Sequence, residues 1–197
     1  MLVFWKENLA LLAVPKTGTT AIEAALAPHA AMAILDPPVL KHVPIYRYDR
    51  LLKPFFLKAG GKELETAALV RNPITWLGSW YKYRARPDLA GKPNSTAGIS
   101  FDAFVTEAIK GDSAPFAHVG SQVKFLTNRD GTVGATHMFQ YEQMGRYVAF
   151  LEARLNRKID LPTVNVSPER EMALSPEVEE KLRRKWAAEF ELWENLV

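Results

Sequence analysis

The chain has 197 residues, 48% hydrophobic and 24% charged, which is the length and composition of one folded domain spanning 1–197 with a sizeable core and no signature of disorder. A net charge of +3 favours a small anionic ligand but is far from the clustered basic excess of a nucleic-acid binder, and zero cysteines exclude a disulfide framework and a zinc–thiolate site. No uncharged apolar run reaches membrane-span length, and no basic N-terminal region leads into a long apolar stretch and a cleavage site, so a soluble, cytoplasmic protein is expected.

Residues 2–5, a polar break at Lys6-Glu7-Asn8 and the apolar run 9–14 predict a hairpin whose second strand is buried on both faces, the pattern of a parallel-sheet core. Pro15 stops that strand. The turn Pro15-Lys16-Thr17-Gly18-Thr19-Thr20 follows, and residues 21–26 predict a helix that ends near Ala27, before Pro28. A strand, a tight turn and a helix N-terminus gather unpaired backbone N–H groups and the positive end of a helix dipole at one point, which favours an anion there. Gly18 permits close backbone approach, Thr17, Thr19 and Thr20 supply hydroxyls, and Lys16 adds a full charge. The order is not that of a Walker A loop, whose lysine follows its second glycine; here lysine precedes the single glycine by two residues.

Residues 32–35 predict a short strand. Lys41-His42-Val43-Pro44 leads into a helical stretch at 45–56, with Tyr48, Leu51, Leu52, Phe55 and Phe56 on one face and a break at Pro54. Residues 66–70 predict another buried strand, with Arg71 at its C-terminal end and Pro73 at the first position of the next helix. Ligands in open α/β sheets bind along that strand edge, so Arg71 is expected on the same rim as the Lys16 turn. Ser79 stands eight residues beyond Arg71, on the helix.

Residues 85–100, rich in proline, glycine and small polar residues, predict a long loop, either a lid over an acceptor site or an exposed surface loop. Ser100 caps a helix over 101–110, and a third core strand is expected at 137–141, ending at Glu142. Met144, Tyr147, Val148, Leu151 and Leu155 recur at helical spacing as core. Ser175-Pro176-Glu177 opens the last helix, with Leu182, Trp186, Phe190 and Trp193 as its apolar stripe and Arg183, Arg184 and Lys185 on its solvated face.

Two of these segments resemble the PAPS-dependent sulfotransferases, which use 3'-phosphoadenosine 5'-phosphosulfate (PAPS). Residues 15–20 match P-K-[ST]-G-[ST]-[ST], the family's 5'-phosphosulfate loop, at every place. The arginine ending a strand and the serine eight residues later resemble the family's 3'-phosphate pair, which implies that role for Arg71 and Ser79. Many bacterial and Golgi members read R-[DN]-P-x-x-R-x-x-S-x-[YF] here; this chain carries Trp76 in place of the second arginine, so any ion pair of that arginine is missing. His42 resembles the histidine between the two anchors that acts as base on the acceptor hydroxyl, and Glu23, four residues after Thr19, is the second candidate base. The order Q-x-x-F-L, an Asp-Gly turn, a strand ending in Tyr-Glu, an amphipathic helix and Leu161-Pro162-Thr163-Val164-Asn165-Val166-Ser167 is similar to small bacterial members. The resemblance covers most of the chain and is densest at 14–27 and 66–81.

It implies a three-layer α/β/α fold with a mainly parallel sheet, related to P-loop nucleotide-binding folds. The implied activity is sulfuryl transfer from PAPS, leaving PAP, to a hydroxyl or secondarily an amine. No metal is required. The acceptor stays open among saccharide (carbohydrate), lipid, small alcohol and peptide tyrosine. The rival readings are a PAP-binding regulatory protein without transfer activity and a P-loop-like nucleotide kinase, the latter disfavoured by the displaced lysine and by the lack of a Walker B strand-end aspartate.

Overall fold

Leu2–Phe4 (β1) and Leu9–Leu11 (β2) form the hairpin, turning through Asn8 at φ 56°, a left-handed conformation that asparagine tolerates. The computed structural model describes residues 1–164 and 167–196. The helices in chain order are α1 (Thr19–Leu26), α2 (Pro38–Lys41), α3 (Ile45–Arg47), α4 (Lys53–Gly60), α5 (Pro73–Arg84), α6 (Phe101–Ala108), α7 (Gln122–Leu126), α8 (Met144–Leu155), α9 (Pro176–Lys185) and α10 (Ala187–Glu194). The remaining strands are β3 (Met32–Ala33), β4 (Glu65–Val70) and β5 (His137–Gln140). Asn165 and Val166, inside the Leu-Pro-x-x-Asn-x-Ser segment, lie outside the described residues. Among the described residues no helix is long and apolar enough to cross a membrane.

The chain divides into two compact units. The first comprises residues 1–71, 122–164 and the C-terminal 196–197. It holds one five-stranded sheet in the order β3-β1-β2-β4-β5. β2, β4 and β5 pair in parallel, while β1 pairs antiparallel with both β2 and β3, so the sheet is mixed. The reason is local: a four-residue turn, Trp5 to Asn8, can only fold β1 back beside β2, whereas β2 and β4 are joined by more than fifty residues that include helices, as a parallel crossover requires. Strand alternation sets the core. Leu2, Phe4, Leu9, Leu11, Ala67 and Leu69 bury one sheet face against Ile22 and Leu26 of α1 and Tyr147 and Leu151 of α8. The intervening Val3, Ala10, Ala68 and Val70 are equally buried, which explains why 9–14 and 66–70 read as unbroken apolar runs.

The stretch 45–60 is helical throughout but changes pitch, running from α3 through a π-turn at Tyr48–Leu52 into α4. Pro54 has no N–H to give to the preceding turn, and the wider turn ahead of it accommodates that gap. The expected apolar face is only half correct. Tyr48 and Phe56 are buried, with Phe56 edge-on to Trp5 at 5.8 Å, but Leu51 and Phe55 are exposed because the π-turn shifts the helical phase.

The second unit comprises residues 72–121 and 165–195. Its core joins Leu77 and Tyr81 of α5, Phe101, Phe104 and Val105 of α6, and Leu182 and Phe190. Asn72 caps α5, its side chain accepting from the N–H groups of Ile74 and Thr75 at 3.0 and 3.4 Å, with Pro73 first in the helix as expected. Ser100 caps α6 through the N–H of Ala103. Ser175 opens α9 without a side-chain cap: its hydroxyl and its N–H both donate to Asp102 of α6, at 2.7 and 2.8 Å. The predicted last helix breaks at Trp186 into α9 and α10. The loop 85–100 is pinned at its far end. Thr96, fully buried, donates its hydroxyl to the Tyr81 carbonyl at 2.7 Å, and Arg170 donates to the carbonyls of Thr96 and Ile99.

Candidate functional site

The turn after β2 is built by backbone geometry. Leu12 extends the pairing to β4, its N–H donating to the Ala67 carbonyl at 2.9 Å, but the strand ends short of the expected 9–14: the Val14 N–H turns back to the Leu12 carbonyl at 3.2 Å, so 12–14 is a buried connection ahead of Pro15. Lys16 then takes φ 66° and Gly18 φ 74°. The left-handed region costs a lysine about 1–2 kcal/mol, which the surrounding contacts must offset. Thr17, between them, is buried and donates its hydroxyl to the Val14 carbonyl at 2.9 Å, so that hydroxyl ties the turn down and has no second proton to donate. Gly18 is the N-cap of α1, and the N–H groups of Ala21 and Ile22 both return to its carbonyl. The N–H groups of Gly18, Thr19 and Thr20 are left at the open end of the helix with no acceptor within it. No acid stands in that first turn. A β-carbon on Gly18 would lie 3.1 Å from Tyr141 Cε2 and 3.4 Å from Met144 Cε, so glycine is needed both for φ and for the closeness of the Tyr141 ring.

Arg71 is brought to this turn. Its Nη1 donates to the Lys16 carbonyl at 3.2 Å, and its guanidinium lies 4.4 Å from the centre of the Tyr141 ring. Burial lowers its affinity for its proton, and Tyr141 and Glu142 act in the opposite sense. The backbone beneath it is held by Gln122 on α7, a fully buried side chain. The Gln122 amide oxygen accepts from the Arg71 N–H at 2.9 Å, and the amide nitrogen donates to the Arg71 carbonyl at 2.8 Å. One amide thereby does for the end of β4 what a neighbouring strand does along its length. Gln122 and Tyr141 were legible only as members of the Gln-x-x-Phe-Leu and Tyr-Glu segments; no local pattern assigns them contacts with a residue at position 71.

His42 joins the same strand end from the other side. Its Nδ1 lies 2.7 Å from the Ala13 carbonyl. A carbonyl only accepts, so Nδ1 carries the proton, and the neutral ring keeps its lone pair on Nε2. Burial, the largest influence, lowers the His42 pKa; the Ala13 carbonyl raises it, and Lys41 lowers it again. The ring is therefore neutral at pH 7. Beside it, Lys41 Nζ donates to Glu23 Oε2 at 2.6 Å in a pair largely shielded from solvent. Glu23 Oε1 has no hydrogen-bond partner among the described residues. It lines a cavity of about 20 Å³ with Thr17, Thr19 and Ala13, roomy enough for about one water.

The turn 15–20, Arg71 and His42 are thus gathered at the C-terminal ends of β2 and β4. Ser79 lies on α5 in the second unit, half-buried, and its hydroxyl makes no hydrogen bond among the described residues, so it does not bond back to its own turn. Trp76, in place of the arginine common in the sulfotransferases, is a core residue of that unit, 6.2 Å from the rings of both Trp80 and Trp186. Among the described residues no group of three or more histidines and carboxylates is placed to hold a metal ion. Comparison with protein-family models gives no match to the chain, and comparison with curated proteins gives none either.

Proposed function

We propose that the chain is a sulfotransferase of the PAPS-dependent kind, acting on an acceptor hydroxyl, with a fold of the three-layer P-loop-like type. The observation that carries this reading is the turn 15–20. A strained lysine and a left-handed glycine open the acid-free N-terminus of α1 beside a half-buried arginine, a donor set made for a phosphate or sulfate group. PAPS supplies the activated sulfuryl group when bound. The N–H groups of Gly18, Thr19 and Thr20 with the hydroxyls of Thr19 and Thr20 would hold its 5'-phosphosulfate, helped by Pro15, which opens the turn, and by Thr17, which ties the turn to Val14. Lys16 would neutralise charge at the bridging oxygen, and Arg71 would take the 3'-phosphate.

His42 Nε2 is the proton acceptor in this reading. Its tautomer is set by Ala13, and its lowered pKa keeps the lone pair available at neutral pH. Glu23 is the weaker candidate because its carboxylate is already held by Lys41. The experiment is a thermal-shift comparison of PAP with ATP, followed by transfer from isotopically labelled PAPS across a panel of hydroxyl compounds, carbohydrates first. PAP is expected to raise the melting temperature well above the effect of ATP, which lacks a 3'-phosphate. Equal shifts, or none, count against the donor assignment. A PAP shift with no labelled product from any acceptor favours the PAP-binding regulatory reading.

A further inference from the structure

A second feature of the first unit lies outside this site. The helical stretch 45–60 presents Leu51, Phe55 and Leu57 to solvent at 60%, 59% and 51% exposure, with Tyr46 also exposed. Single exposed apolar residues are ordinary, but four large ones within twelve positions on one helical stretch are not. Their exposure follows from packing. Tyr48 and Phe56 take the inward positions, Phe56 against Trp5, so Phe55 and Leu57 are turned outward on either side of it. Arg47, Leu51, Phe55 and Lys58 then recur every three or four residues along one side, and Arg50 adjoins them.

The charge around these residues is one-sided. Residues 45–62 carry five cationic side chains and one acid, whereas the whole chain carries 25 and 22. Lys53 is engaged by Glu63, and Lys62 donates to the Trp5 carbonyl at 3.2 Å. Arg47, Arg50 and Lys58 are exposed beside the apolar side chains.

We propose that this basic, apolar helical face docks the protein on an anionic lipid surface. Leucine and phenylalanine enter the headgroup–acyl boundary while arginine and lysine reach back along their stems to lipid phosphates, a combination suited to a bilayer surface. A second copy of the chain fits less well, because a two-fold contact would set Arg47, Arg50 and Lys58 against their own copies, and cores of protein interfaces are depleted in lysine. The proposal is independent of the transfer reading.

The test is co-sedimentation of the full chain with vesicles of phosphatidylcholine alone or mixed with phosphatidylglycerol. Binding is expected to the mixed vesicles, weakly to the neutral ones, and to fall as salt rises. Arg47→Ala/Arg50→Ala should weaken it about 25-fold, roughly five-fold per cation. Leu51→Gln/Phe55→Gln should weaken it at every salt concentration with only a small fall in melting temperature, since both side chains are mostly in solvent and Phe55 meets the core through an edge contact with Phe56. Failure to bind the mixed vesicles, or wild-type binding by both double variants, overturns the proposal. Lipid-independent self-association that Leu51→Gln/Phe55→Gln abolishes, without vesicle binding, overturns it in favour of a contact between copies.

Discussion

Replacing Gln122 by methionine tests the architecture of the strand end directly. The side chain is fully buried and spans both backbone groups of Arg71, at 2.9 and 2.8 Å, from a helix fifty-one residues away in sequence. Methionine keeps the length and much of the volume but can neither donate to the carbonyl nor accept well from the N–H. Two backbone groups then lose their partners, at about 1–3 kcal/mol each, so a loss of about 2–6 kcal/mol is expected. Urea unfolding followed by fluorescence should show this as a lower midpoint with an unchanged slope. The same change should loosen the backbone from which the Arg71 guanidinium reaches the Lys16 carbonyl, so PAP affinity measured by calorimetry should fall alongside stability. A Gln122→Met protein with wild-type midpoint and wild-type PAP affinity would refute the claim that this amide holds the site together.

Arg71→Ala is expected to weaken PAP binding by about 1.5–3 kcal/mol, the usual worth of a charge-assisted contact, and a calorimetric affinity equal to wild type would remove Arg71 from the 3'-phosphate role. Lys16→Ala should reduce both PAP affinity and turnover, and it relieves no strain because alanine is no better suited to φ 66° than lysine; turnover at the wild-type rate would contradict it. Gly18→Ala should destabilise the turn by about 1–2 kcal/mol and lower PAP affinity, since φ 74° and the Tyr141 ring at 3.1 Å both oppose a β-carbon; an unchanged urea midpoint would argue against this geometry. His42 supplies a pH test. Its folded pKa lies below the unfolded value of about 6.5, so the unfolded chain binds the extra proton first. The stability His42 provides is complete above that value and is lost as pH falls through the folded pKa; His42→Gln should flatten this decline as pH falls below about 6.5. With a working acceptor, His42→Ala should lower turnover about 10²- to 10⁴-fold at near-normal PAP affinity, and wild-type turnover would move the base to Glu23.

Much of the first unit was legible because local rules act strongly there. The unbroken apolar runs at 9–14 and 66–70 have no alternative to burial on both faces, Pro15 and Gly18 punctuate the turn, and Pro73 marks a helix start. Residues 15–20 could be read as a tight turn into a helix N-terminus because strand, glycine and helix follow one another within a few residues. By itself the chain therefore determined the α/β character, the positions of β2 and β4, the turn between β2 and α1, and the cation at the end of β4. Tertiary structure decided the rest. The hairpin already set β1 antiparallel to β2, but the strand order, with β3 antiparallel at the far edge and β4 and β5 parallel beyond β2, emerges only when distant segments pair. The phase shift that exposes Leu51 and Phe55 comes from a π-turn, and no period of 3.6 foresees it. The Gln122 clasp, the Tyr141 ring on Arg71 and Gly18, and the Ala13 carbonyl that sets the His42 tautomer all join residues twenty-nine or more positions apart. Hydrogen bonds and ring contacts of that range depend on where whole elements pack, and side-chain identity in sequence carries no record of that distance.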